Sequence, residues 1–169
     1  MNRVFLIGIM FLITINLKAQ SKIESIKTDY DFWGFTFYAS SCNGSCSDIS
    51  MNIHGDSTIE ISRAMYKSKG VKDPKLTGNY KGKLSDKQFN KLISLYEQVN
   101  WDTLTFPDIK CCDRQCITFL INSNGNMKVL KSMEPPVCTQ MLINFLIKLG
   151  ESKEFPKYDK PIDFEMINE

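Results

Sequence analysis

The sequence predicts an α+β fold: an antiparallel sheet with two helices packed on one face, in the chain order β-β-β-β-α-β-β-α. Three observations predict it. Six runs alternate apolar with polar residues or are dense in β-branched and aromatic ones. Two further runs repeat apolar residues at helical spacing. The strand runs come in groups punctuated by the helices, a pattern of α+β rather than of parallel α/β units. An antiparallel sheet also permits one face to stay wetter than the other.

Residues 30–40, YDFWGFTFYAS, form an aromatic-rich strand with both faces partly covered. In residues 47–54, Ile49, Met51 and Ile53 point one way and Ser50, Asn52 and His54 the other, the period of a half-buried strand. Gly55-Asp56-Ser57 supplies turn chemistry, and residues 58–66 continue the alternation through Ile59 and Ile61 as the second arm of a hairpin. Residues 67–75 read as a loop broken by Gly70 and Pro74. Residues 76–84 form a weaker strand, because glycine loosens strands. Ser85 with Gln88 three residues on is a capping box, and Phe89, Leu92, Ile93, Tyr96 and Val99 draw one apolar helical stripe. Residues 101–115 are a long loop that needs tying down or has a use. Residues 116–122 and 127–132 are strands joined by a tight Asn124-Gly125 turn. Pro135-Pro136 opens the second helix, with Val137, Met141, Leu142, Phe145, Leu146 and Leu149 as its apolar face and Gly150 as its stop. Residues 151–169 form an extended tail on the surface.

The chain divides accordingly into a signal peptide at 1–19, a flexible segment at 20–29, a single domain at 30–150 and the tail. The signal-peptide reading rests on Arg3, the apolar run from Val4 to Ile15, and Ala19 as the small residue at the cleavage point. It places the protein in the periplasm or outside the cell. The run is shorter than the ~20 apolar residues of a membrane span, and no later segment is long enough, so no membrane association is expected after cleavage. The net charge of +2 comes entirely from Arg3 and Lys18. The remainder is balanced, with no long-range field to attract nucleic acid. The lysine-rich stretch YKSKGVKDPK reads as a solvated loop.

The six cysteines are Cys42, Cys46, Cys111, Cys112, Cys116 and Cys138. An oxidising compartment favours disulfides, and an even count fits three bridges. Vicinal Cα atoms lie ~3.8 Å apart. That is below the ~4.4–6.8 Å that a bridge usually spans, so Cys111 and Cys112 need different partners. Were Cys42 to bond Cys46, Gly44 would ease the tiny loop, and two pairings would remain for the other four. Cysteine-ligated metal is the alternative, since Cys42-x3-Cys46 and Cys112-x3-Cys116 have ligand spacing. Thiol catalysis is a further alternative, weakened by the absence of a Cys-x-x-Cys motif.

His54 is the sole histidine, at a hairpin end, and would have to serve any general-base role. Trp33, Phe35 and Phe37 are core or, with His54, ligand-facing. No catalytic residue, metal ligand or cofactor is assigned.

The stretch SCNGSCSDISMNIHGDSTIEIS resembles an uncharacterised family of bacterial extracytoplasmic domains, with the pattern Cys-x-Gly-x-Cys-Pro-x-Tyr, an alternating strand and an Asp-Gly turn. Cys42, Gly44, Cys46, Ile53 and Asp56 match; Ser47, Ile49 and Ser57 replace the proline, tyrosine and turn glycine. The segment GNYKGKLSDKQFNKLISLYEQV is similar to the family's Gly-x-Tyr-x-Gly-x-Leu-Ser segment leading into a helix. The resemblance implies a secreted α+β domain with Cys42–Cys46 as an internal pair, and it implies no activity. The expected function is non-catalytic binding of a protein, an envelope component or a small ligand.

Overall fold

The computed structural model describes residues 34–109, 113–123 and 126–164. The expectations for residues 1–19 and 20–29, for Trp33, for Cys111 and Cys112, and for the Asn124-Gly125 turn fall outside the described residues. The fold is α+β, with antiparallel strands and two helices. The strands are β1 (Gly34–Ala39), β2 (Asp48–His54), β3 (Thr58–Ala64), β4 (Tyr66–Ser68), β5 (Val71–Lys72), β6 (Gly78–Lys83), β7 (Ile117–Ser123) and β8 (Asn126–Ser132). The helices are α1 (Asp86–Glu97) and α2 (Gln140–Glu151), the latter preceded by a 3-10 turn at Val137–Thr139.

Among the described residues the strands form two sheets, a six-stranded one in the order β6-β3-β2-β1-β7-β8 and the small pair β4-β5. The single-sheet order read from the sequence therefore needs correction. The third strand run ends at Ala64, and the expected loop contains a hairpin. Lysine, serine and glycine dominate that hairpin, so it carries no apolar alternation to betray it. It is held by backbone bonds instead, Asp73 N–H to the Met65 carbonyl (2.6 Å) and Gly70 N–H to the Gly44 carbonyl (2.9 Å).

Alternation decides which side of the main sheet is buried. Phe35, Phe37, Ala39, Ile49, Met51, Ile53, Ile59, Ile61, Ile117, Phe119 and Ile121 all lie in the core with the helix residues Leu92, Leu95, Leu142, Ile143, Leu146 and Leu149. Register aligns them: Phe37 stands opposite both Met51 and Phe119. Each large apolar side chain buried this way contributes about 1.5–3 kcal/mol before entropy is charged against it. The capping box at Ser85 and Gln88 is present, and the Gln88 amide also donates to Glu154.

Helix α2 departs from expectation at both ends. Val137 and Met141, read as part of its apolar face, are 90% and 61% exposed. The 3-10 turn has three residues per turn, which takes Val137 out of the helical phase. Met141 is inside α2 but off the face formed by Leu142, Leu146 and Leu149. Gly150 does not end the helix, which runs to Glu151. A Cβ there would lie 2.8 Å from Ile49 Cγ2, so Gly150 lets the helix sit directly on β2.

Beyond α2 the tail is not confined to the surface. Phe155 is buried, Lys157 bridges to Tyr80 on β6, and the chain continues across the outer face to Phe164, whose ring meets Tyr38 at 6.2 Å.

Candidate functional site

At one end of the sheet the chain enters and leaves β1, β2 and β7 together. Ser40 and Cys116 are locked by Ser40 N–H to the Cys116 carbonyl (3.0 Å) and Cys116 N–H to the Ser40 hydroxyl (2.9 Å). Two residues past Ser40, Cys42 is bonded to Cys46, with Cα atoms 5.0 Å apart. Asn43 and Gly44 take positive φ inside this loop, 45° and 77°. Gly44 packs against Gly70 of the β4-β5 hairpin, where a Cβ would come within 2.9 Å of the Gly70 nitrogen. The loop is also tied to the chain before β7. Asn43 donates to the Asp113 carboxylate, and the Gln115 amide donates to the Ser47 carbonyl (2.8 Å). Cys116 and Cys138 are free thiols, Cys138 exposed and Cys116 half-buried. Of the three bridges expected, Cys42–Cys46 is the one seen among the described residues, and Cys111 and Cys112 lie outside them.

Next to Cys116 lies a cavity of about 620 Å³. It runs between β8 and the loop before β7. Its apolar walls are Phe106, Ile109, Val129, Leu130 and Met133; Ser40, Asp108, Lys131 and Ser132 supply polar atoms. The loop is pinned from inside the core. Trp101 Nε1 donates to the Tyr96 carbonyl (2.9 Å), and Lys128 Nζ donates to the carbonyls of Trp101 (2.6 Å) and Asp102 (3.1 Å). Phe106 meets Phe119 edge-on at 6.2 Å. The size, and apolar walls with a few polar groups, are those of a small-molecule pocket.

The residues proposed from sequence as ligand-facing are not brought to this cavity. Phe37 is wholly buried among Phe119 and its neighbours, and Phe35 stacks on Tyr96 at 5.4 Å. Their strand alternation points them at the helices. His54 is exposed and, with Phe35, borders a separate depression of about 260 Å³ on the far end of the sheet. His54 stands opposite Gly34, whereas Cys116 is bonded to Ser40. Six strand residues separate those positions, roughly 20 Å, so His54 and Cys116 form no catalytic pair.

Around His54 the outer face carries a polar row in register: Thr36, Asn52, Glu60 and Lys81 on β1, β2, β3 and β6. Thr36 Oγ1 donates to Asn52 Oδ1 (2.8 Å), Lys81 Nζ donates to Glu60 Oε1 (2.6 Å), and His54 Nε2 is 3.5 Å from Glu60 Oε2. The Lys81 hydrogen bond holds Glu60 below the usual carboxylate range and raises Lys81 in return. At the other end of β2, burial pushes the Asp48 carboxyl up, against a smaller attraction from Lys72. Among the described residues no three His, Cys, Asp or Glu side chains converge on a possible metal.

Arg63 escaped the sequence reading. It is 4% exposed; its Nε donates to the Leu76 carbonyl (2.9 Å), and its Nη1 donates to the carbonyls of Gly150 and Ser152 (2.6 Å each). Its guanidinium lies 4.0 Å over the Tyr80 ring. A cation at the C-terminal end of α2 is favoured by the helix dipole. The signal was present: Arg63 follows Ile59 and Ile61 in the inward phase.

Residues 34–150 match the family described as domain of unknown function DUF6438. No curated protein matches the chain, and no solved structure does.

Proposed function

The chain belongs to the DUF6438 family, and from that premise we propose that it is a non-catalytic binding domain of the bacterial cell envelope or exterior, taking a small, largely apolar ligand between β8 and residues 106–109. The single observation that carries the reading is the 620 Å³ cavity, apolar-walled and bordered by a few polar atoms. The extracytoplasmic setting is supported by the signal-peptide pattern of residues 1–19 and by the Cys42–Cys46 bond, which persists in an oxidising compartment. The Cys-x-Gly-x-Cys stretch would then serve the domain as a structural loop.

The test is a screen of small amphipathic compounds against the isotope-labelled chain, followed by NMR. Binders are expected to move the amide signals of Ile109, Val129 and Leu130, and Met133→Trp, which fills the cavity, to weaken them about tenfold, or roughly 1.4 kcal/mol. Binders that map instead to the His54 depression, or none at all, would sink the reading.

A cysteine-ligated metal is the second reading, favoured by the free thiols of Cys116 and Cys138. Intact-mass alkylation without reductant separates the two. Four or more free thiols together with bound zinc on elemental analysis would favour metal; no free thiol would leave the cysteines as staples.

A further inference from the structure

The β6 edge of the sheet is occupied by the chain's own residues 155–164, and the family match stops before them, at residue 150. The segment is held in three ways. Phe155 is buried on the core side over Gly82, where a Cβ would lie 2.9 Å from the Phe155 ring, so glycine leaves a socket that any larger residue would fill. Along the edge, Lys81 N–H donates to the Pro156 carbonyl (3.3 Å) and Tyr158 N–H donates to the Asn79 carbonyl (2.8 Å). On the outer face, the amide nitrogens of Asn79 and Asn52 donate to the carbonyls of Lys160 (3.0 Å) and Asp163 (3.1 Å).

This is the chemistry by which a sheet edge takes up an extended peptide: backbone bonds for affinity and a socket for one side chain. The two asparagine amides address backbone carbonyls, so their contacts do not depend on which side chains stand at 160 and 163. Along the strand itself the pairing is short. Two backbone bonds hold it to β6, whereas β6 pairs with β3 over six residues. Short edge pairings of this kind belong to the part of a fold where local opening is least costly.

We propose that the β6 edge, with the Gly82 socket and the Asn79 and Asn52 amides, is a docking surface for an extended peptide of another protein carrying an aromatic residue followed by proline, and that residues 155–164 occupy it in cis. The proposal concerns the edge opposite the β8 cavity and does not rest on that reading.

The test uses the full-length chain with residues 155–164 replaced by a glycine-serine sequence of equal length. The probe is a fluorescein-labelled peptide copying residues 153–164, followed by anisotropy. Saturable micromolar binding is expected, weakened about tenfold or more by adding Gly82→Val. The unmodified chain should bind at least about tenfold more weakly, because apparent affinity scales with the open fraction. No saturable binding to a replacement chain with native circular dichroism, or binding indifferent to Gly82→Val, overturns the proposal. Should the replacement fail to fold, hydrogen exchange on the unmodified chain decides. The Tyr158 amide exchanging far faster than the β6 amides paired with β3 supports an exchangeable segment; equal protection overturns it. A concentration-dependent dimer of the unmodified chain, abolished by Gly82→Val, would assign the surface to the tail of a second copy and overturn the foreign-peptide assignment.

Discussion

The two edges of the main sheet are finished in opposite ways. At β8 the covering loop is anchored mainly by side chains, through Trp101, Phe106 and the bonds of Lys128 on the edge strand to loop carbonyls, with one backbone bond, Met133 N–H to the Ile109 carbonyl (3.3 Å), just past the strand's end. The cavity lies between this loop and the strand. At β6 the covering segment bonds to the strand itself, through Pro156 and Tyr158. Both devices answer the same hazard, an unpaired strand edge open to association with other chains. They differ in the kind of fastening: mainly side chains at β8, backbone bonds along the strand at β6. The first leaves a cavity beside its strand; the second pairs with its strand as a further strand would.

The largest expected effect tests whether the β6 side depends on a buried charge. Arg63 joins β3 to the Leu76 carbonyl and to the end of α2, from which the edge segment departs. Arg63→Ala leaves those carbonyls short of donors in a buried place. It should lower unfolding free energy by about 3–5 kcal/mol, measured by urea titration. Arg63→Lys should recover less than half, because an ammonium cannot reproduce the planar fork. On the β8 side, Phe106→Ala should cost only about 1–2 kcal/mol, as its ring is half-buried. Equal losses at the two sites would break the comparison.

A middle-sized effect belongs to the Cys42–Cys46 bond. Closing so short a loop stabilises by about 2 kcal/mol on the chain-entropy account. Replacing both cysteines by serine should lower stability by about that amount. The loss should appear in hydrogen exchange first at Gly70, whose N–H is bonded to the Gly44 carbonyl, and not at Tyr158 on the opposite edge. Faster exchange at both would mean the two edges are coupled.

How much of this the sequence disclosed follows from what periodicity can report. Alternation at Ile49, Met51 and Ile53 gave the inward face of β2, and the capping box at Ser85 and Gln88 gave the start of α1. The family resemblance pointed to the Cys42–Cys46 pair. The β4-β5 hairpin stayed hidden because Lys67, Lys69, Gly70 and Lys72 bury nothing and so show no period. Val137 misled because a 3-10 turn shifted it out of the helical stripe. The cavity was illegible for another reason. It is formed by Phe106 and Ile109 meeting Val129 and Leu130 across the fold, and no local spacing records a gap between distant segments. The edge segment was illegible likewise: its carbonyls are held by Asn79 and Asn52, more than eighty residues away.

The smallest effects are electrostatic, and they run in opposite senses at the two sites. The folded state lowers the Glu60 carboxyl below its ordinary 4.5, chiefly through the Lys81 hydrogen bond. The charged form is therefore stabilising. Its contribution is complete above about pH 4.5 and is lost as pH falls through the lowered folded value. Burial raises Asp48 above its ordinary 3.8, so its charged form costs stability. That cost is complete above the raised folded value and gone below pH 3.8. At pH 7, then, Glu60→Gln should destabilise and Asp48→Asn should stabilise, each by less than about 1 kcal/mol because both groups retain contact with solvent. Urea midpoints taken from pH 7 down to pH 3 should bring both variants toward the unmodified chain. Added salt should shrink the Glu60 effect more, since it depends on an ion pair, than the Asp48 effect, since that depends on burial. Shifts of the same sign at pH 7 would mean that Lys72 outweighs burial at Asp48, and the electrostatic contrast between the two sites would be gone.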